Sequence, residues 1–187
     1  MLNEALVFLL NVVLQSFATI LLLRFHLQWL RAPMRNPIGE FVMAASDFLV
    51  LRARRYIPAV SGYDTATLLA AWLVETAYLA LVAWLESGHL FSPLGILVLA
   101  AVKLLSNSIY ILMAALFAQA ILSWINPYTP IAAVLNAITY RFLRPLRRIV
   151  PMLGNIDLSP MVLLVICQLL LIVPIAMLEN LAGHLFF

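Results

Sequence analysis

A short basic pattern occurs twice in this chain and predicts two equivalent turns. The first copy reads Arg54-Arg55-Tyr56-Ile57-Pro58, and Asp64 follows six residues after its proline. The second copy reads Arg147-Arg148-Ile149-Val150-Pro151, and Asp157 follows at the same distance. Each position of the second copy lies 93 residues after its counterpart, and long apolar stretches flank both copies. Self-similarity at a fixed period takes priority over other fold signals, so the chain is predicted to be a tandem repeat.

The composition indicates a membrane protein. Hydrophobic residues make up 65% of the chain, charged residues make up 10%, and the mean hydropathy is +1.07. A soluble domain is about half apolar and about a quarter charged. With Cys167 as the only cysteine, no disulfide can form within the chain. The stretches that reach the roughly 20 apolar residues of a membrane-spanning helix are about Ala5–Leu30, Ala66–Leu85, part of Pro93–Ile125, and Pro160–Leu178.

The third apolar stretch is longer than one upright crossing needs. We expect a tilted helix there with an N-terminal extension over Pro93–Lys103, which places Lys103 near the membrane edge. A break near Ser106-Asn107-Ser108 is an open alternative.

The positions of the cations predict the orientation. One loop holds Arg31, Arg35, Arg52, Arg54 and Arg55, and another holds Arg141, Arg144, Arg147 and Arg148. Neither terminus carries Lys or Arg. The positive-inside rule then predicts both loops in the cytoplasm and both termini in the periplasm. Because each copy contains two crossings, the repeats are parallel, related by an axis along the membrane normal.

Each basic loop is predicted to start with an amphipathic helix. Trp29 and Trp124 mark the interface, and a cap followed by proline comes next, at Asn36-Pro37 and Thr129-Pro130. The apolar residues at helical spacing are Ile38, Phe41, Val42, Ala45, Phe48 and Leu49, and then Ile131, Val134, Leu135, Ile138, Phe142 and Leu143. Pro145 is expected to end the second helix. Interfacial helices on the cytoplasmic leaflet are favoured, with re-entrant segments as the alternative.

The basic turns form the first candidate site. Its predicted lipid- or partner-binding residues are Arg54, Arg55, Arg144, Arg147 and Arg148. In one interpretation, these arginines are a topological signal and are attracted to lipid headgroups in general, at about 1 kcal/mol per cation. In the other, they form an organised site. An organised site would hold a lipid phosphate or an acidic partner, because guanidinium groups match phosphate bidentately. Asp64 and Asp157 are predicted to cap the next helix, and an ion pair with arginine is compatible with that role.

Polar residues inside the apolar stretches form the second candidate site. Glu75 lies near the middle of the second stretch, where a charge costs roughly 2.5–3.5 kcal/mol and therefore needs a partner. Arg24 is the predicted partner. The repeat maps Arg24 to Gln119 and Glu75 to Gln168, so we expect one intramembrane polar cluster of these four residues, with His26 nearby. Such a cluster either fixes helix pairing or forms a proton or cation path through Glu75.

Four motifs are similar to those of a known family. They are Leu23-Arg24-Phe25-His26-Leu27-Gln28-Trp29, Asn36-Pro37, Arg144-Pro145-Leu146-Arg147-Arg148-Ile149-Val150-Pro151, and Asp157-Leu158-Ser159-Pro160. With these motifs the chain resembles the YggT family of bacterial inner-membrane proteins over nearly its whole length, and each half resembles the shorter YlmG proteins. The first copy departs at Arg52, where the second has proline, and at Ala66-Thr67, where the second has Ser-Pro.

The resemblance implies a non-enzymatic membrane protein. It also implies roles linked to relatives: osmotic and ion tolerance, cell division or nucleoid organisation, and haem attachment during cytochrome assembly in plastids. The sequence itself holds no nucleophile–base pair, phosphate-binding glycine loop or metal-ligand spacing. No cofactor is therefore predicted, with haem ligation by His26 as a weaker alternative. No nucleic-acid partner is predicted, because no large soluble domain carries the basic loops.

The predicted fold is all-α, with four transmembrane helices in two parallel tandem repeats, residues 1–92 and 93–187. Each repeat has an amphipathic interfacial helix on its cytoplasmic side. The predicted function is non-catalytic: a multi-pass inner-membrane protein that contacts anionic lipid headgroups or an unidentified membrane or cytoplasmic protein. Osmotic stress, cell division and membrane-complex assembly are the expected settings. The alternative function is that of a small ion or proton transporter or channel component that uses Glu75. Such a protein would act as a homo-oligomer, because four membrane crossings enclose little space.

Overall fold

Six helices form the computed structural model of this chain, which describes residues 2–60, 62–88, 92–126, 129–150 and 157–186. They are α1 (Leu2–Trp29), α2 (Pro37–Ala53), α3 (Thr65–Ser87), α4 (Pro93–Ile125), α5 (Pro130–Leu146) and α6 (Ser159–Leu185). Four of these, α1, α3, α4 and α6, are long and apolar enough to cross a membrane. The described residues contain no β-strand. The prediction of an all-helical chain with four membrane-length helices is confirmed. Pro127, Pro151, His89 and the side chain of Trp124 lie outside the described residues.

The two short helices begin as the sequence predicts. The Asn36 side chain accepts hydrogen bonds from the backbone nitrogens of Ile38 and Gly39, both at 3.0 Å. Thr129 caps α5 by accepting from the nitrogen of Ala132 at 3.3 Å. Both helices have 17 residues, and α5 starts and ends 93 positions after α2. Helix α5 ends at Leu146, one residue after Pro145, so the proline marks the end of this helix to within one residue.

Helix α4 is continuous over 33 residues, so the considered break near Ser106-Asn107-Ser108 does not occur. The Ser106 and Ser108 hydroxyls donate to carbonyls four residues earlier, at 3.1 and 2.8 Å, and are satisfied within the helix. Lys103 lies within this continuous helix, and its expected position near the membrane edge stays a prediction. Both α1 and α6 contain a π-helical turn, Asn11–Gln15 and Leu171–Ile175, and Pro174 accounts for the second by removing a backbone donor.

Helices α1 and α4 form the centre of the bundle. Helix α1 packs against α2 and α3, and α4 packs against α5 and α6. The halves meet where α1 contacts α4 and α5 and where α3 contacts α4. The short helices bury residues at matching positions, each pair 93 apart: Val42 and Leu135, Ser46 and Thr139, and Val50 and Leu143. We call the end of the bundle that carries Arg54 and Arg147 the basic end.

Large apolar side chains cover the outside of the bundle. Leu73, Phe117 and Val165 on three of the long helices are 58%, 64% and 60% exposed. Helix α2 also exposes Phe41 and Phe48, at 61% and 60%, so it is apolar on its outer side as well as on its buried side. Soluble monomers rarely expose apolar patches of this extent, whereas hydrocarbon is compatible with them.

Gly39 lies where α2 approaches the preceding connection most closely. A Cβ atom added there would clash with the backbone of Met34, including its carbonyl oxygen. We expect Gly39→Ala to lower the free energy of unfolding of the detergent-solubilised protein by about 1–3 kcal/mol, because backbone atoms cannot move aside cheaply. Thermal denaturation measures this. Gly183→Ala is the control, since an added Cβ meets no atom within 4 Å there, and an equal loss in both variants would contradict the argument.

Candidate functional site

In the first basic turn, Asp64 joins Arg54 to the start of α3. The Arg54 Nη2 atom lies 2.6 Å from Asp64 Oδ2, and Nε lies 3.4 Å from Oδ1. The same carboxylate accepts a hydrogen bond from the Thr67 backbone nitrogen at 3.3 Å, and it also accepts from the Thr67 hydroxyl. One side chain therefore caps the helix and holds the turn against it.

The second basic turn has the same arrangement. Arg147 Nε lies 2.8 Å from Asp157 Oδ2, and Asp157 Oδ1 accepts from the Ser159 nitrogen at 2.9 Å. Both aspartates thus contact the arginine ten residues before them and the first turn of the following helix. In the first turn, Gln28 adds a contact to α1. With its amide oriented to satisfy both neighbours, Gln28 donates to Asp64 at 2.7 Å and accepts from Arg54 at 3.1 Å.

These contacts lower the pKa of both aspartates. Burial alone would raise the pKa of Asp64, but hydrogen bonds from Arg54 and Thr67 and the charge of Arg54 outweigh it. Burial alone would also raise the pKa of Asp157, but hydrogen bonds from Ser159 and Arg147 outweigh this effect. A lowered carboxyl pKa stabilises the folded state above the unfolded pKa of about 4. That stabilisation is lost as the pH falls through the folded-state pKa.

The predicted binding arginines fall into two groups. Arg54 and Arg147 are held by aspartates. Arg55, Arg144 and Arg148 are exposed, and no carboxylate in the described ranges forms an ion pair with them. These three guanidinium groups remain accessible to a ligand at the basic end.

The predicted pairing of Arg24 with Glu75 is wrong. Arg24 is buried, and its Nη1 donates to the Ser46 hydroxyl at 2.7 Å and lies 2.8 Å from Asp47 Oδ1. Helix α2 packs against α1 at this level and supplies a carboxylate within the reach of Arg24. Helix α2 therefore supplies the partners of Arg24 Nη1 in place of Glu75, while the buried Nε atom has no hydrogen-bond partner among the described atoms.

The four predicted cluster residues do not converge. Gln119 accepts a hydrogen bond from Thr139 at 2.6 Å, which is the counterpart in α4 and α5 of the Arg24–Ser46 contact in α1 and α2. Gln168 is exposed on the outside of the bundle. Its counterpart Glu75 is completely buried, so equivalent positions in the two halves have different environments.

Glu75 lines a polar cavity of about 390 Å³ among the long helices. Gln15 Nε2 donates to Glu75 Oε1 at 3.4 Å. Across the cavity, Lys103 Nζ lies 3.0 Å from Glu179 Oε1, which also accepts from Ser106 at 3.2 Å. Lys103 is therefore ion-paired with Glu179, and Glu75 lines the same cavity without an ion pair among the described residues. Glu75 Oε2, Gln15 Oε1 and Asn107 Nδ2 are buried and have no hydrogen-bond partner among the described atoms.

Sequence reasoning missed the residues that complete both sites. Gln28 lies within a recognised motif, but nothing in its distance from Asp64 along the chain indicates their contact, and Thr67 is at the position that a capping Asp64 would reach. Lys103 and Glu179 were visible as charges in apolar stretches, which is the signal for functional intramembrane residues. His26, the weaker haem candidate, bonds through Nδ1 to the Leu22 carbonyl at 2.7 Å within its own helix.

Four apolar helices of membrane-spanning length make this chain a multi-pass membrane protein. It belongs to the CCB3/YggT family, whose model matches residues 3–85 and 98–178. The uncharacterized protein YggT of Escherichia coli (strain K12) is 33% identical over 165 residues, covering 87% of this chain and 85% of that protein. An uncharacterized protein of Pseudomonas aeruginosa is 32% identical over 165 residues, covering 85% and 82%. No solved structure matches the chain.

Replacing Asp64 by Asn removes the charge that binds Arg54 and preserves the side-chain shape. We expect Asp64→Asn to lower the free energy of unfolding at pH 7 by up to about 1 kcal/mol through the lost ion pair, because Asn caps a helix about as well as Asp. The wild-type melting temperature should fall below pH 4, and the Asp64→Asn/Asp157→Asn variant should show a flatter pH profile. Glu86→Gln, at the exposed far end of α3, should behave as wild type. Identical acid profiles for the double variant and wild type would contradict the role of these pairs.

Proposed function

We propose that the chain is a parallel tandem repeat, residues 1–92 and 93–187, in the bacterial inner membrane. The family model matches once within each half, and polar contacts recur 93 to 95 positions apart, which supports this arrangement. The positive-inside rule then places the basic end in the cytoplasm and both termini in the periplasm. Alkaline phosphatase fused after Arg55 or after Arg148 should be inactive, and activity at either junction would contradict the orientation.

At the cytoplasmic face, the protein acts without catalysis by holding anionic lipid headgroups or an acidic partner. One observation carries this proposal. In each basic turn the first arginine is bound by aspartate, while the second is exposed beside an exposed apolar residue. Those apolar residues, Tyr56 and Ile149, are 86% and 78% exposed and 93 positions apart. An apolar side chain entering the interface beside a free guanidinium group suits a headgroup layer.

The exposed outer face of α2 supports an interfacial position for the short helices. Phe41 and Phe48 are largely exposed on a helix that ends directly before the first basic turn, and the Phe48 ring also stacks on Phe17 of α1 with 5.4 Å between ring centroids. Amphipathic helices in this position bury an apolar face at the boundary between headgroups and acyl chains. The expected physiological settings are osmotic or ion stress, cell division or membrane-complex assembly. The proposed partner is a membrane or cytoplasmic protein, and the chain can also form a homo-oligomer.

Binding of short-chain phosphatidylglycerol to the detergent-solubilised protein tests the headgroup site. We expect Arg55→Gln/Arg148→Gln to bind it about tenfold or more weakly than wild type, because each cation near an anionic group contributes about 1 kcal/mol. Arg35→Gln/Arg52→Gln removes the same charge from other exposed arginines and should lose less affinity for phosphatidylglycerol. An equal loss of affinity in both variants would show that only general charge attraction binds the lipid. If lipid binding is unchanged but a cross-link to a native protein disappears, the turns bind a partner.

A second candidate function is a cation or proton path through the cavity at Glu75. The favouring observation is the fully buried Glu75 carboxylate with an unpartnered oxygen, close to the Lys103–Glu179 pair. Both π-helical turns adjoin this cavity, since Gln15 ends one and Leu171 and Ile175 belong to the other. Such turns frequently occur at functional sites. A buried carboxylate that lacks a full set of partners favours a bound cation or proton.

Flux into liposomes that contain only this protein tests the second candidate. We expect wild type to carry protons or monovalent cations faster than empty liposomes, and Glu75→Gln to abolish the difference. Asp47→Asn, which removes a carboxylate from the Arg24 contact, is the control and should retain flux. Equal rates for wild type and empty liposomes, with the protein correctly folded and inserted, would remove this candidate.

A further inference from the structure

A large apolar groove separates the two halves of the bundle. Its volume is about 850 Å³, within the range of about 300–1,000 Å³ that ligand sites occupy. Trp72 of α3 and Ile166 of α6 stand on opposite sides, and residues of α1 and α4 lie between them. Trp29 and Phe142 close the groove toward the basic end.

The polar groups along this groove are already bonded to the protein. Trp72 Nε1 donates to the Leu97 carbonyl at 3.0 Å, and the Ser108 hydroxyl donates to the Leu104 carbonyl at 2.8 Å. His26 Nδ1 is bonded to the Leu22 carbonyl. These groups therefore need no ligand, and the remaining lining suits a hydrocarbon chain better than a polar molecule.

A second, polar pocket of about 620 Å³ lies at the basic end of the groove, and Trp29 and Leu30 line both. Its polar lining includes Gln28, Arg31, Asn136 and Arg141. The Arg141 guanidinium carbon lies 5.4 Å from the centre of the Trp29 ring, so the indole fixes it at the junction of the two pockets.

Arg31 reaches this pocket from a strained backbone position. Its φ of 53° is the one positive value at a non-glycine residue in the described part of the chain. The Ala32 nitrogen donates to the Leu27 carbonyl at 2.8 Å and the Arg31 nitrogen donates to the Gln28 carbonyl at 3.1 Å, which is the helix ending that normally uses glycine. Residues with a Cβ atom rarely adopt this conformation, so the arginine is retained against a stability cost.

We propose that the groove and the polar pocket together bind one anionic phospholipid of the bilayer. An acyl chain lies in the groove, and the phosphate lies between Arg31 and Arg141. Charge complementarity selects this occupant, because both arginines are exposed and no ion pair within the described ranges involves either one. The site rests on the proposed cytoplasmic position of the basic end, and it is separate from Arg55 and Arg148.

Native mass spectrometry of the full chain in detergent, with equal amounts of phosphatidylglycerol and phosphatidylcholine of the same chain length, tests this site. We expect wild type to retain one phosphatidylglycerol in preference to phosphatidylcholine. Arg31→Gly/Arg141→Gln should retain it about tenfold less. The single variant Arg31→Gly should also weaken retention, while its melting temperature without lipid stays equal or rises because glycine relieves the backbone strain. A purely structural role for Arg31 would give unchanged lipid retention.

A second variant tests the groove independently of charge. Ala101 is exposed and lines the groove, so Ala101→Phe should fill it and reduce lipid retention. Ala118→Phe, on an exposed face of the same helix outside the groove, should not. Arg35→Gln/Arg52→Gln removes the same charge from exposed arginines that line neither the groove nor the polar pocket, and this variant should retain the lipid. Equal retention of the two lipids by wild type, or binding of inorganic phosphate with no effect of Ala101→Phe, would overturn the proposal.

Discussion

The carboxylate at the start of a long helix is the contact on which the basic end depends. Asp64 and Asp157 each satisfy backbone donors of the helix that follows, and each holds an arginine of the turn that precedes it. Without this contact, the first helical turn would lose an acceptor and the arginine would lose its counter-ion. Because the first arginine of each pair is held, the second stays exposed for a ligand. The pKa of both carboxyl groups falls for the same reason.

Arg24 and Gln119, two polar residues within the long helices, take their partners from the short helices. A polar side chain in a low-dielectric environment needs a nearby hydrogen-bond or ionic partner, and the helix that packs against it supplies the nearest one. Arg24 is therefore bonded to α2, and Gln119 is bonded to α5. Glu75 lies further from the short helices and faces residues of the other long helices. The bundle thus contains polar contacts near the basic end and a separate polar cavity around Glu75, Lys103 and Glu179.

The two halves have equivalent structures at the basic end and different structures further along the long helices. The turns, the caps and the buried faces of the short helices match position by position. In contrast, Glu75 is buried while its counterpart Gln168 is exposed. The groove between α3 and α6 also combines residues from both halves, so it exists only in the assembled bundle.

The sequence by itself determined the four long helices, the starts of the two short helices and the aspartates that follow the basic turns. These features depend on apolar length, on the fixed backbone angle of proline and on contacts between residues close in the chain. The partners of Arg24 and Glu75, the place of Lys103 and the pocket at Arg31 and Arg141 depended on the tertiary structure. Helical spacing specifies which face a residue occupies but not which neighbour meets it. That choice follows from how α2 and α5 pack against α1 and α4, and contacts across 60 or 73 residues, such as Gln15–Glu75 and Ser106–Glu179, carry no local signal.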